Sequence, residues 1–484
     1  METKTVTKPP EPVRVEVDVA QRCAAAKKLI SLGNYEAAHE ALGGLWNGIG
    51  KRPRIEGLPA NEQAELLLRA GALSGWLGSS GQVPGAQAFA KDLISESIRA
   101  FEALDDMEKV AEAQSDLALC YWREGAMDEA RVWSREALTN AAEPANMLRI
   151  LTRATTVECA SNRFAEALTL LDQAAPLLDQ VEDAVAQGCY HMHRAVVLRR
   201  LGGAENLDRA LIESAAASVH FEQANHRRYV ARCENNTGNI LRQLGRYYDA
   251  LEHLERARRI FSELGDVGTA AQVNDTRARV LVEQERYVEA EKLAFLSASA
   301  LEAGDEQSLL ADALETQGVA LARMGRHESA LGVLRRASHI AETAGDVPLS
   351  GRIFLTVLEE VRNFLSPAEI RDIYREADDR LGEDLSTELM SRLRACARLT
   401  TSITATARTE HPTPQGSFEL EVHNCESELI RNALDQANGS VTRAARQLGL
   451  THQGLCYIIN HRHKQLLGAR APIRVRRKSI IKKR

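Results

Sequence analysis

The sequence predicts an all-α fold, in which a solenoid of about eight helix pairs precedes a small helix-turn-helix domain near the C-terminus. Three observations lead to this prediction. The 484 residues are 44% hydrophobic and 26% charged, which is a globular composition, and no apolar run is long enough to cross a bilayer. The central part of the chain repeats a pattern of small residues every 40 residues or so. The net charge of −6 is divided unevenly: residues 423–484 carry 13 basic and 3 acidic residues, and residues 1–422 carry 48 basic and 64 acidic ones.

The repeat is clearest in three segments that align without gaps, beginning at Gly238, Ala278 and Gly318. In each segment a second small residue follows after 12 positions and a third after 7 more, and a Gly-Asp pair closes the unit. Small residues mark the places where two packed helices approach closely. Gly245 and Gly325 fall between the two helices of a pair, where glycine adopts a left-handed conformation at little cost. The Gly-Asp pairs are interpreted as a helix stop followed by an N-cap.

Weaker copies of the pattern extend toward the N-terminus, so the repeats are predicted to occupy residues 17–346. Residues 1–16 are polar and are interpreted as an N-terminal extension without a signal peptide. Residues 347–399 are predicted to form closing helices that cover the last exposed face of the solenoid. Residues 400–417 contain six Thr, two Pro and one Gly, and they are predicted to be a flexible linker.

The small-residue positions and the turn Gly-Arg-Tyr-Tyr-Asp-Ala-Leu at residues 245–251 resemble the tetratricopeptide-repeat superfamily, and the longer unit is similar to arrays in bacterial regulators. This resemblance implies a superhelix that binds a protein or peptide ligand. Side chains of the first helix in each pair are expected to line its concave groove, with ordinary solvated repeat surface as the alternative. The groove residues predicted in this way are Asn235, Asn239, Arg242, Asp275, Arg279, Glu315 and Arg323.

Residues 418–467 have the pattern of a small helical domain. An amphipathic helix is predicted over Cys425–Ala437, with Leu429, Ile430, Leu434 and Ala437 on its apolar side. A short helix over residues 441–448 ends at Gly449, and Thr451 caps a third helix that extends to about residue 464. Two short helices joined by a tight turn with Gly predict a helix-turn-helix motif. Its small crossing residues and core side chains are expected to be Ala444, Ala445, Leu448, Leu450, Leu455 and Ile459.

The stretch from Asn438 to Leu455, with its core Gly-Ser-x-x-x-Ala-Ala-Arg-x-Leu-Gly-Leu, closely resembles the Fis-type helix-turn-helix that ends many bacterial enhancer-binding regulators. The resemblance implies sequence-specific binding of double-stranded DNA, usually by a dimer, so a homodimer is a possible state. Two features depart from the family: Gly454 lies inside the last helix, and Cys456-Tyr457 stands where basic residues are common.

A recognition helix presents its N-terminal side chains to base edges in the major groove. The side chains expected to read bases are His452, Gln453, Cys456 and Tyr457, and Gln453 can form a bidentate pair with adenine. The last 17 residues, 468–484, form a basic tail with eight basic residues and no acidic one, which is expected to bind DNA through counterion release. Phosphate contacts are expected from Arg443, Arg446, Asn460, Arg462, Lys464, Arg474, Arg476, Arg477 and Lys478.

The chain contains no phosphate-binding loop, dinucleotide-binding glycine motif, zinc-protease motif or nucleophile elbow, so it is not predicted to be an enzyme or to bind a cofactor. No metal site is predicted either. His191 and His193 point to different sides of a helix, and His452 with Cys456 lacks a second ligand pair at suitable spacing. The eight Cys residues form no Cys-x-x-Cys, which favours reduced thiols and a cytoplasmic location.

These observations together predict a cytoplasmic DNA-binding transcriptional regulator, without membrane association, that carries a repeat domain for a protein or peptide ligand. The alternative is a repeat scaffold or adaptor whose basic C-terminus binds RNA, anionic surfaces or acidic proteins without sequence specificity.

Overall fold

The structure is a computed structural model that describes residues 18–381, 387–407 and 418–469. Those residues form helices and connecting turns, without a β-strand among them, and they divide into two compact units with the boundary at residue 400. The predicted N-terminal extension over residues 1–16 lies outside the described residues. None of the described helices combines the length and the apolar character that a membrane span requires.

The first unit begins with eight helix pairs, as the sequence predicts, and within each pair the two helices pack against one another. The pairs, in chain order, are α1 (Val19–Ser31) with α2 (Tyr35–Leu42), α3 (Ala60–Gly81) with α4 (Ala86–Ala103), α5 (Met107–Glu124) with α6 (Met127–Asn140), α7 (Pro144–Ala160) with α8 (Phe164–Ala174), α9 (Ala184–Leu201) with α10 (Ala204–Gln223), α11 (Arg227–Gln243) with α12 (Tyr247–Glu263), α13 (Val267–Glu283) with α14 (Tyr287–Leu301), and α15 (Gln307–Arg323) with α16 (His327–Ala344).

The small residues of the repeat lie where the helices of a pair meet. A Cβ atom added to Gly238 would lie 2.6 Å from Leu254, and one added to Gly318 would lie 2.6 Å from Leu334. The turn glycine Gly245 has a φ of +74°, a left-handed conformation that glycine adopts without strain. Because only small residues allow the two helices to approach this closely, the small-residue pattern predicts where the helices of each pair cross.

Two of the three Gly-Asp pairs cap helices as predicted. The Asp266 carboxylate accepts a hydrogen bond from the backbone N–H of Thr269 at 3.0 Å, and Asp346 accepts one from Leu349 at 3.2 Å. Asp305 does not cap α15, for which Glu306 occupies the N-cap position without a side-chain hydrogen bond. The Asp305 carboxylate instead accepts hydrogen bonds from backbone N–H groups at the start of α4, which belongs to an early repeat.

Three further helices follow the pairs: α17 (Val347–Glu360), α18 (Pro367–Leu381) and α19 (Thr387–Ala407). The last of these includes residues 400–407, so this part of the predicted flexible linker is helical. The physical reason is that threonine lowers helix propensity by only a few tenths of a kcal/mol. The first proline of the predicted linker, a true helix breaker, comes at residue 412. The rest of that linker, residues 408–417, lies outside the described residues.

The repeat array contacts itself, since α3 packs against α13 and α5 packs against α15. Arg228, at the start of α11, holds this contact. Its side chain donates hydrogen bonds to the Gly33 carbonyl at 2.8 Å, to the Glu36 carboxylate at 3.1 Å and to the Asp266 carboxylate. The first repeats are therefore joined to the sixth and seventh, and the concave side of the array borders a partly open cavity.

The second unit contains α20 (Phe418–Gln436), α21 (Val441–Gln447) and α22 (His452–His461), followed by a 3-10 helix over Lys464–Ala469. Its core joins all four elements through nine buried side chains, which are Ile430, Ala433, Leu434, Ala437, Ala444, Ala445, Leu455, Ile459 and Leu466.

Two residues predicted for this core lie at the surface, because Leu429 is 43% exposed and Leu450 is 39% exposed. The buried residues of α20 follow the spacing i, i+3, i+4, i+7 from Ile430, which turns Leu429 toward solvent. Leu450 lies in the turn between α21 and α22, beyond the point where those helices cross.

Candidate functional site

The helix α22 begins with a well-formed N-cap. The Thr451 hydroxyl accepts a hydrogen bond from the Gly454 backbone N–H at 3.0 Å. Leu455 and Ile459 face the core and are fully buried, which leaves the opposite side of the helix to solvent. The cap fixes the start of the helix, and the two apolar anchors fix its rotation.

Most of the side chains predicted to read bases are exposed on that outer side. His452 and Gln453 are exposed in the first turn, and Tyr457, one turn further on, is 61% exposed. Cys456 is half-buried, with its sulfur 3.7 Å from Nε2 of His452. The Tyr457 ring stacks on His461 with 4.2 Å between the ring centroids, which holds the phenol against the helix surface.

The predicted phosphate contacts within the described residues are all exposed: Arg443, Arg446, Asn460, Arg462 and Lys464. Arg462 already has an acidic partner, because its Nη1 lies 3.0 Å from Oε1 of Glu426 on α20. The predicted tail contacts lie outside the described residues; they are Arg474, Arg476, Arg477 and Lys478.

The first unit encloses a cavity of about 650 Å³ on the concave side of the repeats. Six of the seven predicted groove residues line it, namely Asn235, Asn239, Arg242, Asp275, Arg279 and Glu315. The seventh, Arg323, is not a lining residue, and it instead forms an ion pair with Glu360 at 2.7 Å. Arg323 ends its helix, where the side chain projects beyond the concave face toward α17.

One side of the cavity is balanced in charge. Arg279 contacts Asp275 at 2.9 Å and Asp312 at 3.4 Å, while Arg352 contacts Glu315 at 2.7 Å and also pairs with Asp312. Burial by itself would raise the pKa of Asp312, but the charges of Arg352 and Arg279 lower it to about 2. Asp312 therefore remains ionised and compensates the charges of the two guanidinium groups that it contacts.

A second group of lining residues, from α9 and α11, is positively charged. Arg199 and Arg200 from α9, together with Arg232 from α11, line the cavity, and within the described residues none of the three forms an ion pair with a carboxylate. Burial, followed by the neighbouring charge of Arg200, lowers the pKa of Arg199 to about 9. Nε of Arg199 and Oδ1 of Asn235 are buried without a hydrogen-bond partner. This wall therefore offers one guanidinium donor without a partner and three cations that no carboxylate contacts directly among the described residues, both suited to an anionic ligand.

The groove residues predicted from the sequence do not include these three arginines. The rule that first helices line the groove applies to α9 as well as to the later repeats, and it would have included Arg199. Gly202 and Gly203, which both have positive φ, form the turn between α9 and α10. The small residues on either side of that turn lie further apart in the sequence than in the later repeats, so their spacing did not fix the alignment of this repeat with the later ones.

The family described as tetratricopeptide repeat matches residues 229–294, and the family described as bacterial regulatory protein, Fis family, matches residues 422–457. The chain is a tetratricopeptide-repeat protein with a C-terminal Fis-type helix-turn-helix domain. The Fis-type domain implies binding to DNA, and the repeat array implies binding to a protein or peptide. No curated protein matches the chain in sequence.

Solved structures are similar to the repeat array in fold. A Rap protein complexed with Competence and Sporulation Factor is 14% identical with a TM-score of 0.55, and the match covers 80% of this chain and 99% of that one. A signal-transduction ATPase of the STAND class with a tetratricopeptide-repeat sensor, from Pyrococcus horikoshii, is 13% identical with a TM-score of 0.40. That match covers 80% of this chain and 65% of the ATPase chain.

Proposed function

We propose that this tetratricopeptide-repeat protein is a cytoplasmic transcriptional regulator that binds a specific DNA sequence through its Fis-type domain and a protein or peptide ligand through its repeats. The observation that carries the proposal is the capped helix α22, which is anchored by two core residues and presents His452, Gln453 and Tyr457 to solvent.

The DNA contact follows from the side-chain chemistry of this face. Gln453, in the first turn of the helix, can donate from its amide NH₂ to N7 of adenine and accept from the N6 amino group with its amide oxygen. This bidentate pair discriminates against other bases by about 1–3 kcal/mol. His452, Cys456 and Tyr457 complete the base-reading set in this proposal. Arg462 and Lys464, which follow α22, and Arg443 and Arg446 on the preceding helix contact phosphates and so position the domain on the duplex. One such helix covers half of a two-fold operator, so binding as a homodimer is part of the proposal.

The test of DNA reading uses the full chain. Sites are selected from random duplexes, and affinities are then measured for the selected site and a scrambled one. Gln453→Ala is expected to weaken the selected site by about 5–150-fold, as loss of 1–3 kcal/mol requires, while the scrambled site is unaffected. Arg443→Ala should weaken both sites and flatten the salt dependence. Gln436→Ala, an exposed glutamine on α20, is the matched control.

A contrary result would favour the adaptor alternative. If no sequence is enriched, if modest salt abolishes binding, and if Gln453→Ala and Tyr457→Ala bind DNA like the unmodified chain, the protein binds anions without reading bases.

The repeat ligand is proposed to carry a carboxylate. The wall formed by Arg199, Arg200 and Arg232 supplies positive charge that no carboxylate of the described residues contacts directly. Asn235 and Asn239 add amide groups that suit a peptide backbone. The Rap protein of similar fold, known in complex with Competence and Sporulation Factor, supports a ligand for such an array. Ligand binding would alter dimerisation or presentation of the Fis-type domain, and so the affinity for DNA.

A library of short fluorescent peptides with free or amidated C-termini provides the probe. Peptides with a free carboxylate or acidic side chains are expected to bind, and Arg232→Ala should weaken them at least tenfold. Arg323→Ala is the matched control, since that arginine does not line the cavity. If neutral peptides bind as tightly as acidic ones, or if the two variants behave alike, the assignment of this wall to a carboxylate fails.

A further inference from the structure

Three potential metal-binding side chains meet inside the Fis-type domain. His423 and Glu426 lie three positions apart on α20, and His463 follows the end of α22. One ligand atom from each of the three lies within 4.8 Å of the other two. The His463 Nε2 atom is 3.0 Å from Oε2 of Glu426, and the rings of His423 and His463 are 4.3 Å apart.

An ion pair between His463 and Glu426 does not account for the whole arrangement. His463 is completely buried, yet its Nδ1 atom has no hydrogen-bond partner among the described residues. The ring nitrogen that faces the carboxylate is Nε2, and the His423 ring approaches the same point as a third ligand group. A cation shared by Nε2 of His463, the Glu426 carboxylate and the His423 ring would account for the convergence of all three groups.

We propose that His423, Glu426 and His463 bind a Zn²⁺ ion. Two imidazole nitrogens and one carboxylate oxygen are a ligand set that zinc accepts, with a water molecule as its fourth ligand. Zinc–ligand bonds of about 2.1 Å place tetrahedral ligand atoms about 3.4 Å apart. The His463 and Glu426 atoms, 3.0 Å apart, already lie within this distance, and all three ligand atoms lie within 4.8 Å of one another. Rotation of the half-buried His423 and Glu426 side chains can adjust the remaining distances.

The ion would connect the first and last parts of the domain. Glu426 and His463 are 37 residues apart in sequence, and α21 and all of α22 lie between them. Because the ligands come together only in the folded domain, the ion would restrain the ends of the helix-turn-helix and stabilise the fold by its binding free energy. Zinc on Glu426 would also compete with Arg462, which now contacts the same carboxylate, and would release that guanidinium toward a DNA phosphate.

The first experiment measures the metal alone. Zn²⁺ is titrated calorimetrically into the full chain after treatment with a chelator, and Co²⁺ is used as a spectroscopic probe. We expect one tight site per chain, a Co²⁺ spectrum of tetrahedral type without a thiolate charge-transfer band, and at least tenfold weaker binding in His423→Ala and Glu426→Gln. Those two half-buried positions are preferred because His463→Ala would disturb the core.

Matched controls separate this site from its neighbours. His461→Ala removes an exposed histidine outside the cluster and should leave Zn²⁺ affinity unchanged. Cys456→Ala tests the nearby pair of Cys456 and His452, which offers a sulfur ligand. Absence of tight uptake, uptake that His423→Ala and Glu426→Gln leave unchanged, or a thiolate band that disappears in Cys456→Ala would each overturn the proposal.

A second measurement tests the link to DNA, and it rests on the proposed function. Zn²⁺ is expected to raise the affinity of the full chain for its selected site at least fivefold, and His423→Ala should abolish that gain. If the metal binds as expected while DNA affinity does not change, the metal site stands and its coupling to DNA is wrong. If no DNA sequence is selected at all, the calorimetric result still decides the site.

Discussion

Arg228 provides the sharpest test of how the repeat array encloses its cavity. The side chain is 4% exposed and lies over the ring of Tyr35, 4.6 Å from its centroid. Its partner Asp266 is 6% exposed, and the Gly33 carbonyl accepts its Nε–H at 2.8 Å. The second acidic partner, Glu36, is 62% exposed and is discounted because solvent screens such a pair.

Arg228→Ala would leave the Asp266 carboxylate buried without its counter-charge and the Gly33 carbonyl without a donor. Breaking a buried ion pair by removing one partner costs about 3–5 kcal/mol. Contacts within a repeat array are largely between neighbouring repeats, and Arg228→Ala leaves most of them unchanged. The lost free energy therefore affects mainly the contact between early and late repeats. We expect the array to open there rather than to unfold throughout.

Two measurements check this expectation. Small-angle X-ray scattering should show a larger radius of gyration for Arg228→Ala, and urea denaturation should show a free energy of unfolding lower by about 3–5 kcal/mol. Arg227→Ala is the matched control, because the adjacent arginine pairs with Glu263 at an exposed site. Its effect should stay below about 1 kcal/mol. An unchanged scattering profile together with equal stability of the two variants would refute the reasoning.

Two further predictions concern the same array. Burial raises the pKa of Glu306 above its ordinary value of 4.5, so the folded chain holds this proton more tightly than the unfolded chain and stability falls as pH rises from about 4.5 through the folded pKa. Glu306→Gln should reduce that decline in thermal melts recorded between pH 4 and 8; an unchanged profile would contradict it. Gly318→Ala would place a Cβ atom 2.6 Å from Leu334 and should destabilise by about 1–3 kcal/mol in urea denaturation. Gly332→Ala, exposed on a helix with nothing within 4 Å, should instead stabilise by about 0.5–1 kcal/mol, and equal effects would show that helix propensity alone decides.

The Fis-type domain could be predicted in considerable detail from its sequence. Thr451 caps the recognition helix, and Ala444 and Ala445 lie buried where two helices meet. These features depend on neighbours within a few positions in the chain, so spacing is sufficient to predict them. The prediction that Leu429 lies on the apolar side of α20 is wrong, because helical periodicity fixes the apolar side only to within about one position.

The sequence by itself determined the helix-pair solenoid of about eight pairs and the small helix-turn-helix domain that follows it, because small residues, turn glycines and caps act over distances of one or two helices. Only the tertiary structure decided what distant segments do together. Asp305, predicted as a cap, bonds to the start of an early repeat, and Arg199 and Arg232 from different repeats form one basic wall. His423 and His463, 40 positions apart, meet only after the helix-turn-helix has folded. Such contacts depend on the summed rotation of many packed helices, which no local pattern in the chain records.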